Sequence, residues 1–315
     1  MTTVLVTGGA GFLGSHLVEG LLKQTDWNVV VWDKLTYAAE DGRLFEVVGA
    51  LCNPRFSFYQ MDLVTADYPH CTPEYIVHLA AETHVDRSIL DPWPFIQSNI
   101  IGTYRMLEYA RQQRTLKKFL YFSTDEVFGP AEEQPFSEWS RYNSSNPYSA
   151  TKAAGEELAL AWGNTHRLPV VISHCSNIFG EGQHEEKYIP KLVKSILGDK
   201  TVTIHADQNG NSGSRMYVYA GDVAQAIYMI LKRGEIRQKY NIPGFEVSNE
   251  EMAYRVADIL EKKVMCEKAY PFADRPGWDF RYSIVSKSLF ELGWQPTPNF
   301  TDLLRQVVEH YAGSR

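Results

Sequence analysis

The chain has 315 residues, of which 44% are hydrophobic and 22% charged. That balance excludes a disordered or fibrous chain and suits one large or two modest domains. A formal net charge of −7 supplies no overall positive field to hold a nucleic-acid polymer, although a local pocket for one or two phosphates is compatible with it.

The first predicted strand, Thr3–Thr7, runs straight into Gly8-Gly9-Ala10-Gly11-Phe12-Leu13-Gly14, and a helix follows over 11–23. Without side chains at 8, 11 and 14, the turn is tight and its backbone can approach a pyrophosphate. The helix N-terminus then offers free N–H donors and a partial positive charge. The next strand, 28–33, ends on Asp33, whose carboxylate is placed to accept from adenosine ribose hydroxyls and to repel a 2′-phosphate, favouring NAD over NADP. Further strands are predicted at 56–61, 75–79, 117–123 and 169–175, with helices over 94–113 and 148–162 among them. Buried strands alternating with helices mark a parallel sheet covered on both faces, with ligands outside the carboxyl ends of the strands. Asp62, just past the third strand, is a candidate for the adenine edge.

Beyond Asn177 the rhythm loosens into a polar loop at 180–186, a helix at 189–197 and an exposed turn at 208–213. A helix over 222–232 leads to a short strand at 240–242 that can return to the sheet. Another helix opens at Ser248, where Glu251 completes a capping box, and the last ends near Tyr311. The expected architecture is α/β: a Rossmann-type doubly wound parallel sheet with a smaller, discontinuous C-terminal α/β substrate lobe. The dinucleotide-binding part is expected at 1–177 plus about 217–242, and the lobe at about 178–216 plus 243–315.

Tyr148 and Lys152 share one face at the start of a helix. An ammonium there favours the phenolate and makes the tyrosine a proton acceptor. Thr124-Asp125-Glu126 closes an apolar strand, at the edge where a nicotinamide belongs. A plain dehydrogenase or epimerase uses a Ser/Thr hydroxyl with Tyr and Lys, but has no use for two adjacent acids. Two carboxyls in one partly dry pocket push their pKa values apart, so one can act as acid and the other as base.

Together these residues resemble the dTDP-glucose 4,6-dehydratase family within the extended short-chain dehydrogenase/reductases. The likeness extends over the 33–38 run, the 78–88 segment, Cys175-Ser176-Asn177 and Asp274-Arg275-Pro276-Gly277. It implies an NAD-dependent hydro-lyase that oxidises C4 of an NDP-glucose, eliminates water across C5 and C6, and returns hydride to C6. Tyr148 with Thr124 would take the 4-hydroxyl proton, Glu126 the C5 proton, and Asp125 would protonate the departing C6 hydroxyl. The resemblance assigns NAD contacts to Phe12, Leu13, Lys34, Leu35, Thr36, Leu63, Leu79, Ala80, Ala81, Ser98, Tyr148 and Lys152. It assigns the nucleotide sugar to Thr83, Thr124, Asn177, Lys187, Thr203, His205, Arg215, Arg275 and Trp278. It also implies a homodimer through the 94–113 and 148–162 helices.

Departures gather around the substrate. Thr83 stands for a Ser, Ile178 for a second Asn, Glu246 for an Asn and Trp278 for a His, so the nucleotide is dTDP by family and UDP as the alternative. A C4 epimerase, a uronate decarboxylase and a non-catalytic NAD-binding regulator are the competing readings. The four cysteines contain no Cys-x-x-Cys pair, no charged leader precedes the first strand, and no apolar run approaches the roughly 20 residues of a membrane span. These features suit a cytoplasmic protein that binds neither membrane nor nucleic acid. No metal is expected: His184-Glu185-Glu186 reads as a polar loop, His84 as a structural hydrogen-bond partner and Cys175 as a packed thiol.

Overall fold

A computed structural model describes residues 1–39, 43–48, 53–270 and 279–313. In chain order the elements are β1 (Thr3–Thr7), α1 (Phe12–Gln24), β2 (Asn28–Asp33), α2 (Arg43–Val48), β3 (Phe56–Gln60), β4 (Tyr75–His78), α3 (Val85–Leu90), α4 (Trp93–Phe95), α5 (Thr103–Arg111) and β5 (Lys118–Thr124). There follow α6 (Pro147–His166), β6 (Val170–Cys175), β7 (Asn177–Phe179), α7 (Tyr188–Leu197), β8 (Val202–His205), β9 (Ser214–Tyr219) and α8 (Ala220–Arg233). The chain ends with β10 (Lys239–Ile242), β11 (Phe245–Ser248), α9 (Asn249–Ile259), β12 (Cys266–Ala269), α10 (Ser288–Glu291) and α11 (Phe300–Gly313).

Seven parallel strands form the main sheet in the order β10-β6-β5-β4-β1-β2-β3. Every residue of β4 and β6 is buried, as expected of strands covered on both faces. On one face, Leu17, Val18 and Leu21 of α1 share a core with Val223, Ile227 and Ile230 of α8. On the other, Met106 and Leu107 of α5 and Ala159 of α6 pack with Phe119, Tyr121 and Ile172. The strand order reverses beside β1, so β1 and β4 carry the cleft at their carboxyl ends.

A second core joins Ile189, Leu192 and Ile196 of α7, Met252 and Val256 of α9, and Leu304 and Val307 of α11. Two small sheets accompany it, β11-β9-β7 and β12-β8. Of these elements α7, β8, β9 and the first residue of α9 carry the second wall of the cleft.

Two local features differ from the expectation. The helix foreseen over 94–113 is interrupted by a π-helical stretch, Ile96–Gly102, between α4 and α5. In addition β5 runs one residue further than expected, to Thr124, and Asp125 opens a 3₁₀ turn, Asp125–Phe128.

Candidate active site

The glycine turn is built as its residues require. Gly8 has φ +71°, and a Cβ there would lie 2.7 Å from the Ala80 nitrogen; one at Gly14 would lie 2.2 Å from the Gly8 carbonyl oxygen. No side chain caps α1, so its first N–H groups stay available to an anion. Asp33 is buried and braces the turn, its Oδ2 accepting from Ala10 N at 3.0 Å and its Oδ1 from Leu35 N at 2.8 Å. Burial raises its pKa, while these N–H donors pull the other way.

A cavity of about 320 Å³ opens above this turn. Its wall contains every residue expected to meet the dinucleotide except Leu35: Gly8, Gly11, Phe12, Leu13, Gly14, Asp33, Lys34, Thr36, Asp62, Leu63, Leu79, Ala80, Ala81, Ser98, Tyr148 and Lys152. Leu35 instead packs against the sheet core with φ +55°, serving the bend after β2. Lys34 is steered by Ser98 Oγ at 3.3 Å and Glu82 Oε1 at 3.5 Å. The π stretch supplies Asn99, which periodicity did not single out. Its amide clamps both backbone groups of Glu82, at 2.9 and 3.0 Å, and donates to Thr151 Oγ1 at 2.9 Å, joining the end of β4 to α6.

Helix α6 starts where Asn146 accepts from Ser149 N at 2.9 Å in a reciprocal capping box, with Pro147 as its first residue. This start presents Tyr148 and Lys152 to the end of β5. Thr124, Asp125, Glu126, Tyr148 and Lys152 all line the cavity. Burial, reinforced by Glu126, lifts the Asp125 carboxyl to about 8, so it is protonated at neutral pH. Its Oδ2 is buried without a hydrogen-bond partner among the described residues. Burial also raises Glu126, but Arg215 and a 3.4 Å hydrogen bond from Asn146 Nδ2 oppose the rise. Two neighbouring acids are thus held differently, as acid–base division requires.

The expectation for Tyr148 needs correction. Burial, together with Glu126 and Asp125, pushes its phenol up, and only the Thr124 hydroxyl pulls it down. Lys152 donates to the Phe122 carbonyl at 2.6 Å, and burial lowers its own pKa to about 7. Spacing places the pair on one face but says nothing of how dry that face is.

A second cavity, about 380 Å³, adjoins the first and shares Thr83, Glu126, Asn177, Glu186 and Lys187 with it. Thr203, His205 and Arg215 line this second space, while Arg275 and Trp278 lie outside the described residues. Arg215 is held by the carbonyls of Ser214, Asp279 and Phe280 at 2.7, 2.7 and 3.1 Å, and its guanidinium lies 4.4 Å from the Tyr282 ring centroid. Glu246 does not line either cavity: Arg281 grips it at 2.7 and 2.8 Å, and Ser214 donates to it. Sequence reasoning also missed Glu186, which gathers Tyr37, Arg87, His84 and His184 at 3.2–3.7 Å across the cavity mouth. His84 is a helix cap, accepting from Arg87 N at 3.2 Å, and the Cys175 thiol is buried and pushed well up.

Residues 4–243 match the model of the NAD dependent epimerase/dehydratase family. The chain belongs to that family. Among curated family members, the dTDP-glucose 4,6-dehydratase of Haemophilus influenzae is 39% identical, over 99% of this chain and 98% of that protein. The Escherichia coli dTDP-glucose 4,6-dehydratase is 38% identical over 98% of this chain and 92% of its own length. Among solved structures, a dTDP-glucose 4,6-dehydratase from Streptomyces venezuelae with NAD bound superposes with a TM-score of 0.90 at 33% identity, covering 100% of this chain and 98% of that one. A UDP-glucose 4-epimerase of the family from Thermus thermophilus, also with NAD, gives 0.87 at 29% identity, with both chains covered in full. Backbone shape therefore does not separate dehydratase from epimerase within the family, and the residues after Thr124 must.

Proposed function

We propose that the protein is an NAD-dependent nucleotide-sugar 4,6-dehydratase, converting dTDP-glucose into its 4-keto-6-deoxy product. The observation that carries this reading is the Asp125–Glu126 pair at the end of β5, one acid protonated near neutrality and the other at the junction of two cavities. An epimerase has no step that uses both. The full-length curated dehydratases support the same choice.

The glycine cradle and the uncapped start of α1 fit a dinucleotide pyrophosphate, and Asp33, Lys34 and Ser98 fit its adenosine end. Bound NAD supplies the oxidant at C4 and the reductant at C6, so it emerges unchanged from each turnover. The chain's own groups move the protons. Tyr148, assisted by Thr124, takes the proton of the 4-hydroxyl, acting as a phenolate that the Lys152 charge in the same cavity favours before the transfer. Once C4 is a ketone, the C5 proton is acidic and passes to Glu126. Asp125 gives its proton to the C6 hydroxyl, which leaves as water. Glu126 then returns a proton to C5, and exchange with solvent removes the proton from Tyr148 and restores one to Asp125, so that each group ends the cycle as it began. Asn146 and Arg215 oppose the rise that burial imposes on Glu126 and so favour the ionised form that the base step requires.

Arg215 and Lys187 suit the diphosphate in the second cavity, with Thr203 and His205 further along it, and Arg275 and Trp278 complete the expected set. Glu246 presents no free carboxylate to that diphosphate, because Arg281 occupies it, so the Asn-to-Glu departure does not count against dTDP. Among the described residues no helix is long and apolar enough to cross a membrane. A cytoplasmic homodimer is the assembly we assign; Ile101 and Tyr104, 39% and 44% exposed along the π stretch and α5, support α5 as part of the contact.

dTDP-glucose carrying deuterium at C4 tests the function directly. The expected product has lost water and carries the label at C6 of the same molecule. Label washed into solvent, or a product that retains all its oxygens, overturns the reading.

A further inference from the structure

The reactive face of α6 continues past Lys152. One further turn places Glu156 in line with Tyr148 and Lys152, and it is fully buried. His174 Nε2 lies 3.0 Å from each of its carboxylate oxygens, Lys239 Nζ lies 2.9 Å away, and the Tyr142 hydroxyl donates to it. On the far side of the ring, His174 Nδ1 meets Asn241 Oδ1 at 2.9 Å. Asn241 Nδ2 donates to the carbonyls of Phe136 and Val285, at 3.2 and 2.8 Å, which fixes its oxygen toward the histidine. Both His174 nitrogens therefore face acceptors. None of Glu156, His174, Lys239 and Tyr142 lines either cavity.

We propose that Glu156 is a positioning residue whose buried carboxylate, one helical turn from Lys152 on the same face of α6, favours the ammonium form of that lysine; this rests on the reading that Lys152 acts as a cation in turnover. Tyr148 and Glu156 on its own helix, Tyr121 on β5 and His78 on β4 stand around Lys152, and Asp125, Glu126 and Cys175 line the same cavity from the ends of β5 and β6. Its Nζ lies 4.5 Å from the Tyr121 ring centroid, and the Tyr121 hydroxyl donates to the Lys152 carbonyl at 3.0 Å. His78 offers no anion: burial, with Lys152 itself, holds it down to about 3. Against the burial that lowers Lys152 to about 7, Glu156 is the charge that acts upward. Glu156 is held at about 2 by His174 and Lys239 from β6 and β10 and by the Tyr142 hydroxyl, so it stays ionised despite its dry surroundings. Lys239 in turn competes with Lys152 for that one negative charge. The network thus sets how much counter-charge reaches the active site.

The test is an NMR titration of the holoenzyme carrying lysine labelled with ¹³C at the ε carbon, with Lys152 assigned through Lys152→Met. Glu156→Gln is expected to lower the Lys152 midpoint by about one pH unit, the lower end of what a nearby opposite charge gives. Glu156→Asp is expected to return it toward wild type. Lys239→Gln removes a competing cation and is expected to raise it, and this variant decides the question alone if Glu156→Gln does not fold. A midpoint that stays in place in the folded variants, or moves the same way in Glu156→Gln and Lys239→Gln, overturns the proposal. The alkaline limb of the turnover profile is expected to follow the midpoint. A shifted midpoint with an unchanged limb supports the hold of Glu156 on Lys152 and counts instead against the part given to Lys152 in the reaction.

Discussion

Asn146 joins helix geometry to the site's acid–base chemistry: its Oδ1 accepts from Ser149 N at 2.9 Å, while its Nδ2 donates to Glu126 Oε2 at 3.4 Å. One amide thus starts the helix that carries Tyr148 and Lys152 and steadies the carboxylate opposite them. Asn146→Ala removes both functions and should cost about 1 kcal/mol of stability through the lost cap, together with a fall in turnover. Asn146→Asp keeps the cap but sets a carboxylate against Glu126. It should therefore unfold near the wild-type temperature, while the acidic limb of its rate profile moves to higher pH because Glu126 becomes harder to ionise. Thermal unfolding and pH–rate profiles of the two variants separate these contributions.

Asp125 gives a prediction with a definite sign. Burial and Glu126 raise it from the ordinary 3.8 to about 8, so the native protein holds a proton between those values that the unfolded chain has released. Its contribution to stability is complete below about 4 and is lost as pH rises toward 8. Asp125→Asn should therefore raise the unfolding temperature most at pH 8 and above, and hardly at pH 4. With substrate, the same variant should still reduce bound NAD, seen in the nicotinamide absorbance, but release water slowly. Unchanged product formation would remove Asp125 from the acid step.

Arg215 bears on both acids as well as on the expected diphosphate, because its charge lowers Asp125 and Glu126 alike. Arg215→Met should raise both carboxyls, moving the acidic limb of the kcat profile to higher pH as Glu126 becomes harder to ionise, while the alkaline limb, which Lys152 sets before Asp125 releases its proton, stays in place. Arg215→Lys keeps the charge but not the planar fork that meets three carbonyls and the Tyr282 ring. It should leave the limbs near their wild-type positions and raise KM about tenfold. Initial rates across a pH series read both effects.

The sheet and the dinucleotide turn were legible because their signals are local: apolar strands, spaced glycines, and an acid at the end of β2. Lines along the sequence also placed Thr124, Asp125, Glu126, Tyr148 and Lys152 around one cavity. What they lacked was environment. Four-residue spacing aligns Tyr148 with Lys152, but the burial that raises one and lowers the other comes from the strands packed against them. The Ile96–Gly102 π stretch is too short for apolar periodicity to distinguish from α-helix. Glu246 read as a departure at the substrate because its partner, Arg281, is distant in sequence and joined to it only by the fold. The strands β7, β8, β9, β11 and β12 have three to six residues each and pair in small sheets, where alternation carries little signal.

Two glycines of the same helix should respond to alanine in opposite directions. At Gly14 a Cβ would stand 2.2 Å from the Gly8 oxygen and 2.6 Å from Gly9 Cα, both backbone atoms of the dinucleotide turn. The turn cannot yield without opening, so Gly14→Ala should lower the unfolding temperature and abolish retention of NAD through gel filtration. At Gly20, in the middle of α1, a Cβ would meet only the Ala224 methyl, at an ordinary 4.0 Å. Gly20→Ala should stabilise the protein by about 0.5–1 kcal/mol, the usual helix-interior difference, with NAD content and turnover unchanged. Loss of NAD in Gly20→Ala, or its full retention in Gly14→Ala, would contradict the claim that close backbone packing beneath the glycine turn is what shapes the cofactor site.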